Sequence, residues 1–219
     1  MENSPTPKGE AVDREPRSTR RKRATRAKLM EAAFRLMAGK GMEGVAINEI
    51  TEAADVGFGS FYNHFESMEA LYEAVIDSVF EEFGNSIDRL FAGVTDSAEI
   101  ISIAVRHTVL RAAREPLWGQ FLLREGVSLR SLERGLGRRL FRDIQKGIQA
   151  GRFASIDPFM SFVSAGGTVL VSIAVTITEV RDLQLSRDDL PERSAATVLR
   201  NLGIDPEEAD AIARRALPR

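Results

Sequence analysis

Two short amphipathic segments with a three-residue break between them constrain the fold more than any other feature of this chain. Residues 47–54 and residues 58–64 each repeat apolar side chains at helical spacing. Asp55-Val56-Gly57 separates them, and Asp tolerates the left-handed backbone of a tight turn better than most residues. A longer amphipathic helix is predicted over residues 18–38. Together these segments predict three helices, of which the last two form a helix-turn-helix.

The second short helix lies in GFGSFYNHF, which has aromatic and amide side chains but no Lys or Arg. Phe61 and Phe65 are four residues apart and are predicted to be buried. An exposed helix in the major groove can use an Asn for adenine, an apolar ring for thymine methyls, and hydroxyl or imidazole groups for phosphates. The residues that suit these contacts, together with a glycine that permits close approach of the backbone, are Phe58, Gly59, Tyr62, Asn63 and His64.

A basic arm precedes this unit. Between residues 14 and 28 eight Lys and Arg side chains are opposed by Glu15 alone, whereas residues 29–65 contain two basic and five acidic residues. The arm is therefore the candidate for phosphate contact. A solvated tail that only aids solubility is the alternative. The arm residues predicted to contact DNA are Arg20, Arg21, Lys22, Arg23 and Arg26.

Composition argues against several classes of protein. The 219 residues carry a net charge of −2, contain no Cys and have only His64 and His107 to supply imidazole. A disulfide framework is excluded, and neither metal binding nor Cys or Ser–His chemistry is expected. GFGSFY lacks the Lys and the strand of a phosphate-binding loop. We therefore expect no enzyme activity and no cofactor. The N-terminus shows no apolar run after a basic start, so a cytoplasmic location is expected.

The run INEITEAADVGFGSFYNHFESMEALYEAV resembles the DNA-binding region of the TetR/AcrR family of bacterial transcriptional regulators, and the resemblance covers residues 29–75. It implies an all-α fold: a disordered polar and basic tail over residues 1–18, a three-helix helix-turn-helix domain over 19–66, and a ligand-binding and dimerisation domain over 67–219, joined to the head by a long helix. It also makes Asn48 and Phe58 to Ser60 candidates for base contact, and Tyr62, Asn63 and His64 candidates for backbone and base contact.

Three positions depart from the family pattern. Ala46 stands where a Ser or Thr usually caps the second helix, so that cap is missing or supplied by a neighbour. Asp55 stands where the turn commonly has Gly, and Met68 replaces a phosphate-binding Lys. Each departure removes attraction for DNA. A helical ligand-binding or interaction protein whose degenerate helix-turn-helix no longer binds DNA is therefore the alternative function.

The remainder is predicted to be helical at about residues 67–91, 98–113, 117–124 and 129–148. The last of these has an Arg-rich outer face, interpreted either as a nucleic-acid contact or as a solvated surface. The family resemblance implies a pocket between the middle helices for a small apolar or aromatic effector, with His107 and Arg111 or Arg114 near a polar group; ordinary core packing is the alternative for each lining residue. The candidates are Phe91, Ile103, His107, Leu110, Trp118, Phe121, Leu122, Phe141, Phe159 and Val163.

Residues 158–178 carry no charge over a length that could span a bilayer. Because the segment is rich in Ser, Thr and Gly, a helix buried against protein is favoured over a membrane anchor. The family resemblance implies a homodimer formed by the helices at 158–181 and 193–202, and hence a palindromic DNA operator. Release of DNA by the effector would make the protein a repressor, although activation remains open. A short last helix is predicted to begin with Asp205 as its cap.

Overall fold

A computed structural model describes residues 16–133, 135–154, 157–178 and 188–218. Within these residues the chain forms helices and no strand, which confirms the all-α prediction. In chain order the α-helices are α1 (Arg17–Lys40), α2 (Ile47–Ala53), α3 (Phe58–Tyr62), α4 (Met68–Ile76), α5 (Glu82–Leu90), α6 (Ser97–Arg114), α7 (Pro116–Glu125), α8 (Leu129–Glu133), α9 (Gly135–Gln149), α10 (Pro158–Ile177), α11 (Leu190–Asn201) and α12 (Pro206–Ala213).

The three N-terminal helices form the predicted helix-turn-helix. Because α1 already begins at Arg17, residues 17 and 18 of the predicted tail are helical, while residues 1–15 lie outside the described part of the chain. In the turn between α2 and α3, Asp55 has a φ of 53°, the left-handed conformation expected for it. The turn therefore keeps its geometry without a glycine at this position.

Ala46 gives α2 no side-chain cap, but a neighbouring carboxylate helps to hold the start of this helix. The backbone N–H of Ala46 donates to Glu49 Oε2 at 3.0 Å, which is one half of a capping box. Glu49 also pairs with Lys40 at the end of α1. The hydrogen bonds from Lys40 and from the Ala46 backbone lower the pKa of Glu49. The start of α2 is thus held against the end of α1.

The long helix predicted over residues 67–91 is interrupted. Ser67 caps α4 by accepting from the Ala70 N–H, as expected, but residues Asp77–Glu81 form a π-helical turn between α4 and α5. Phe80 in this turn is buried, with its ring centroid 5.5 Å from that of Phe121. Wider turns of this kind are frequent at functional sites.

The prediction of a single helix over residues 129–148 is wrong, because two helices, α8 and α9, occupy this region. Gly135 opens α9 with a φ of 62°, and a Cβ at this position would lie 2.9 Å from the Cβ of Phe80. The Gly135 N–H donates to Glu81 Oε1 at 3.1 Å. The break therefore lets the start of α9 pack directly on the π-helical turn.

Two apolar cores hold the molecule together. The first runs from Leu29 in α1 through α4 and α7 to Ile173 in α10, so the helix-turn-helix shares its core with the C-terminal part. The second joins α6, α11 and α12 around residues such as Leu199 and Ile212. Asp205 caps α12 and Pro206 begins it, as predicted. A shared first core means that movement in the C-terminal part can reach the helix-turn-helix.

The uncharged helix α10 packs against α6, α7, α9 and α11. By length and composition it is apolar enough to cross a membrane. One edge stays exposed and carries large apolar side chains, namely Phe159, Met160, Val163 and Val171. Residues 179–181 of the predicted dimer helix lie outside the described residues.

Candidate DNA-recognition surface and ligand cavity

Helix α3 divides its aromatic side chains between core and solvent. Phe61 and Phe65 are buried as predicted, whereas Phe58 and Tyr62 are more than half exposed and stack edge to face on each other. Five more residues of this unit are predicted to contact DNA. Of these, Asn48, Gly59 and Asn63 are exposed, while Ser60 and His64 are half-buried. Phe58 and Tyr62 thus form an exposed aromatic pair on α3, next to the exposed Gly59 and Asn63.

His64 lacks the positive charge of an imidazole cation, the form that would bind a phosphate most strongly. Burial lowers its pKa, and the charges of Lys22 and Arg26 lower it further. At neutral pH the ring is therefore neutral and can contact a phosphate only through an N–H hydrogen bond. The carbon of the Arg26 guanidinium lies 4.9 Å from the centroid of the Phe65 ring, so the basic arm rests on the end of the recognition unit.

Residues 17–26 of the arm form the first two to three turns of α1. The predicted DNA-contacting side chains there are all exposed, namely Arg20, Arg21, Lys22, Arg23 and Arg26. By contrast, the two basic residues of the unit proper are both ion-paired: Arg35 with Glu31 at 2.8 Å, and Lys40 with Glu49. Positive charge for DNA phosphates is therefore concentrated on the arm.

A cavity of about 400 Å³ lies between α5, α6, α7, α9 and α10, and its lining is mostly apolar. Four of the ten predicted pocket residues line it, namely Phe91, Leu122, Phe159 and Val163. Its volume lies within the range for small-molecule sites, which is roughly 300–1,000 Å³. The cavity is open to solvent along the edge formed by α10.

The other six predicted pocket residues do not line this cavity: Ile103, His107, Leu110, Trp118, Phe121 and Phe141. Trp118 and Phe121 are fully buried in the first core, and the carbon of the Arg111 guanidinium lies 4.8 Å from the Trp118 ring centroid. Phe141 packs edge to face on Phe162. Trp118, Phe121 and Phe141 thus pack against neighbouring helices rather than line the cavity, a distinction that helical periodicity does not make.

The polar wall of the cavity consists of Asp88 from α5, and Arg139 and Asp143 from α9. Arg139 Nε donates to Asp88 Oδ2 at 2.9 Å, and its Nη2 donates to Glu81 Oε2 at 2.9 Å. Arg142 Nε donates to Asp143 Oδ1 at 2.7 Å. The arrangement offers carboxylate acceptors and a guanidinium donor to one edge of a ligand.

These contacts keep the wall charged. Burial alone raises the pKa of Asp88, but the hydrogen bonds from Arg139 and Arg142 outweigh burial, so that this pKa lies below its ordinary value. The hydrogen bonds that Arg139 donates to Glu81 and Asp88 similarly overcome burial and raise the pKa of Arg139. A ligand entering at neutral pH therefore meets the ionised carboxylate of Asp88 and the guanidinium of Arg139.

The sequence pattern does not reveal this wall, because an Arg-rich helix face indicates a solvated surface or a nucleic-acid contact. Instead, Arg139 and Arg142 pair with acidic side chains of α5 and α9. Gly84 was an available signal: a Cβ there would collide with the Arg139 guanidinium. A glycine inside an amphipathic helix indicates close approach of another group. Residue 134 and the side chain of Arg130 lie outside the described residues.

The end of α7 joins the cavity to the helix-turn-helix. Leu122, Gly126 and Val127 line the cavity, whereas Arg124 and Glu125 between them bond to other helices. Arg124 donates to the carbonyl oxygens of Ala38 at 2.9 Å and Gly39 at 2.7 Å, at the end of α1.

The adjacent Glu125 is buried and accepts a hydrogen bond from Tyr72 Oη in α4. One turn of α7 therefore contacts the cavity, α1 and α4.

Comparison with known proteins agrees with this architecture. Residues 29–75 match the family model "Bacterial regulatory proteins, tetR family", and residues 96–215 match "Tetracyclin repressor-like, C-terminal domain". The repressor DhaR of Mycobacterium sp. (strain GP1) is 34% identical over 95 residues, which are 43% of this chain and 46% of that protein. The chain thus spans about half the length of the curated relatives it matches.

Solved structures extend the similarity to nearly the whole chain. RolR in complex with resorcinol is 34% identical with a TM-score of 0.69, and the match covers 92% of this chain and 98% of that one. RolR without ligand is 33% identical with a TM-score of 0.67, covering 88% and 98%. Both family models and this full-length likeness lead to one conclusion: the chain belongs to the TetR family of bacterial helix-turn-helix transcriptional regulators.

Proposed function

We propose that the protein is a ligand-relieved transcriptional repressor that binds a palindromic DNA operator as a homodimer. The observation that carries the proposal is one turn of α7, which lines the cavity through Leu122 and Gly126 and holds α1 and α4 through Arg124 and Glu125. A ligand site and a DNA-recognition unit are thus joined by direct contacts. Residues 19–66 act as the DNA-binding domain and residues 67–219 as the ligand-binding and dimerisation domain.

The dimer forms through α10, with α11 beside it. The exposed edge of α10 is thus covered by protein rather than by lipid. The exposed edge of α10 is apolar and uncharged, and such a surface is suited to a second copy related by a two-fold axis. Two recognition helices then meet successive major-groove faces about 34 Å, or one helical turn, apart. We expect a cytoplasmic protein, since its partner is the operator.

The effector is a small aromatic compound that carries hydroxyl groups. The cavity is apolar on most sides and presents Asp88, Arg139 and Asp143 on one wall. A hydroxyl can donate to either carboxylate and accept from the guanidinium, whereas a carboxylate ligand would face two like charges. The relative RolR was solved with resorcinol, a benzene diol, which is therefore the first compound to test.

Ligand binding changes the position of α4 through the end of α7. The cavity wall at Leu122 and Val127 moves to accommodate the ligand, and Arg124 and Glu125 transmit that movement to α1 and α4. If the ligand favours the arrangement with the two recognition helices further apart by about 1–3 kcal/mol, DNA occupancy changes 5- to 150-fold.

The test begins with purified protein and sheared DNA from the source organism at moderate salt, followed by sequencing of the retained fragments. Enrichment of a few fragments that share a palindrome, and their release by resorcinol, is the expected result. The Asp143→Asn variant should keep the palindrome and lose the response, while Asp210→Asn, on the exposed face of α12, should keep both.

The competing function, a ligand-binding protein without DNA affinity, is favoured by the pairing of both basic residues within residues 29–65. It predicts dimers that bind the ligand and retain no DNA fragment. Retention of random fragments without a shared motif would also contradict sequence-specific binding.

A further inference from the structure

The exposed apolar side chains are unevenly distributed. Among the described residues eight large apolar side chains are exposed, and two of them, Phe58 and Tyr62, lie on the recognition helix. Four of the other six line the cavity and are exposed by 38–63%: Val127, Leu132, Phe159 and Val163. The mouth of the cavity is therefore bordered by apolar groups in contact with water.

The cavity mouth and the free edge of α10 are one surface. Met160, Val163, Gly167 and Val171 are spaced by three or four residues, so they lie on one face of the helix. Val163 and Gly167 also line the cavity. A Cβ added at Gly167 would contact nothing within 4 Å, so this face has room for close approach of another helix.

From this overlap we infer that a second copy of the chain closes the cavity, so that each ligand site is complete only in the dimer. The inference rests on the proposed dimer and ligand response. No residue from 158 to 177 is charged, so an acidic or basic partner has nothing to pair with on α10. An identical uncharged helix is complementary to it, and a two-fold axis brings α10 against α10.

Closure by a second copy increases the fraction of the ligand surface that is buried. Small-molecule sites generally bury about 70–90% or more of the ligand surface. In the single chain the rim residues Val127 and Phe159 are 61% and 63% exposed, so a ligand beneath them stays open to water. The second copy supplies the missing apolar cover and couples ligand affinity to dimerisation.

Val171 separates the two roles, because it is 64% exposed on the same face but does not line the cavity. Val171→Arg should make the full chain monomeric in sedimentation analysis and weaken resorcinol binding at least tenfold in calorimetry. Ala211→Arg is the control, since Ala211 is exposed on α12, away from the cavity and α10, and it should leave the dimer and the ligand affinity unchanged. Unchanged affinity in the Val171→Arg monomer overturns the inference.

A second measurement needs no effector. The chain contains no Cys, so Val127→Cys introduces one thiol on the rim opposite α10. Its labelling by a maleimide should be at least tenfold slower in the dimer than in the Val171→Arg background, whereas Ala211→Cys on α12 should label equally in both. Equal rates at Val127→Cys refute closure even if resorcinol does not bind.

The outcomes distinguish this inference from the proposed function. A monomeric native chain refutes the proposed dimer and closure together. A native dimer that ignores resorcinol refutes only the proposed effector. A Val171→Arg variant that remains dimeric refutes the α10 interface, and closure with it.

Discussion

The N-terminal arm and the cavity wall use arginine in opposite ways. Along α1, Arg20, Arg21 and Arg23 are exposed in front of a recognition unit whose own basic residues are ion-paired. In the C-terminal part, Arg139 and Arg152 are half-buried and hold carboxylates from other helices. Exposed cations gain most from an external polyanion, whereas internal pairs hold helices in register. We therefore expect the same residue type to serve DNA binding at one end and tertiary structure at the other.

The largest expected effect comes from removing charge from the arm. Replacing Arg20, Arg21, Lys22 and Arg23 together by Ala should lower operator affinity about 100-fold or more near 200 mM salt, because each lost phosphate contact lowers the salt slope by roughly 0.9. Ala preserves the helix. Affinity measured against salt concentration tests this, with Arg35→Ala as the control on the same helix. An unchanged slope would contradict the assignment.

The recognition helix should show the next largest effect and should separate affinity from specificity. Tyr62→Ala is expected to weaken binding to every DNA. Asn63→Ala should relax preference at one base pair, by roughly 1–3 kcal/mol if it makes a bidentate contact. Competition between operator variants and random DNA measures both. Equal losses on operator and random DNA for Asn63→Ala would show that it does not contact a base.

The junction at the end of α7 links the two regions, and a conservative change there tests coupling alone. Glu125→Gln keeps the shape of the side chain but weakens the bond from Tyr72. Operator affinity without ligand should change little, while the change produced by resorcinol should shrink about tenfold, within the range typical of coupling between sites. Titrations of DNA with and without ligand test this. A full ligand response in a folded Glu125→Gln variant would remove Glu125 from the pathway.

The smallest effect is expected from an internal arginine. Arg152 bonds Asp96, the cap of α6, at 2.8 Å and Glu208 at 2.6 Å. Arg152→Ala should lower the free energy of unfolding by about 1–2 kcal/mol without changing DNA affinity. The four arm substitutions should lower DNA affinity without changing the free energy of unfolding. Chemical denaturation measures the stability difference, and equal stability of both variants would break the comparison.

The pH dependence of that difference has a definite sign. The hydrogen bond from Arg152 lowers the pKa of Asp96 in the folded chain, against an opposing effect of burial. The ion pair therefore stabilises the fold above the ordinary pKa of Asp and is lost as the pH falls through the lower folded value. The difference in the free energy of unfolding between Arg152→Ala and the native chain should become smaller under acid conditions. A gap that is constant down to acid pH would argue against the ion pair.

Local features of this protein were predictable from its sequence because they depend on near neighbours. The caps at Ser67 and Asp205, the turn at Asp55, and the burial of Phe61 and Phe65 follow from residue types a few positions apart. The recognition surface belongs to the same class, since it lies within one short helix and its flanks. Together with the family motif, these signals determined the fold class and the DNA-recognition unit.

The cavity depended on contacts that only the tertiary structure decided. Periodicity identifies the buried face of a helix but not the helix that covers it, so Trp118 and Phe121 could not be told from Leu122. Arg139 meets Asp88 across 51 positions and Tyr72 meets Glu125 across 53. Such pairs form only when the core brings distant helices together, and helical spacing in the sequence cannot specify them.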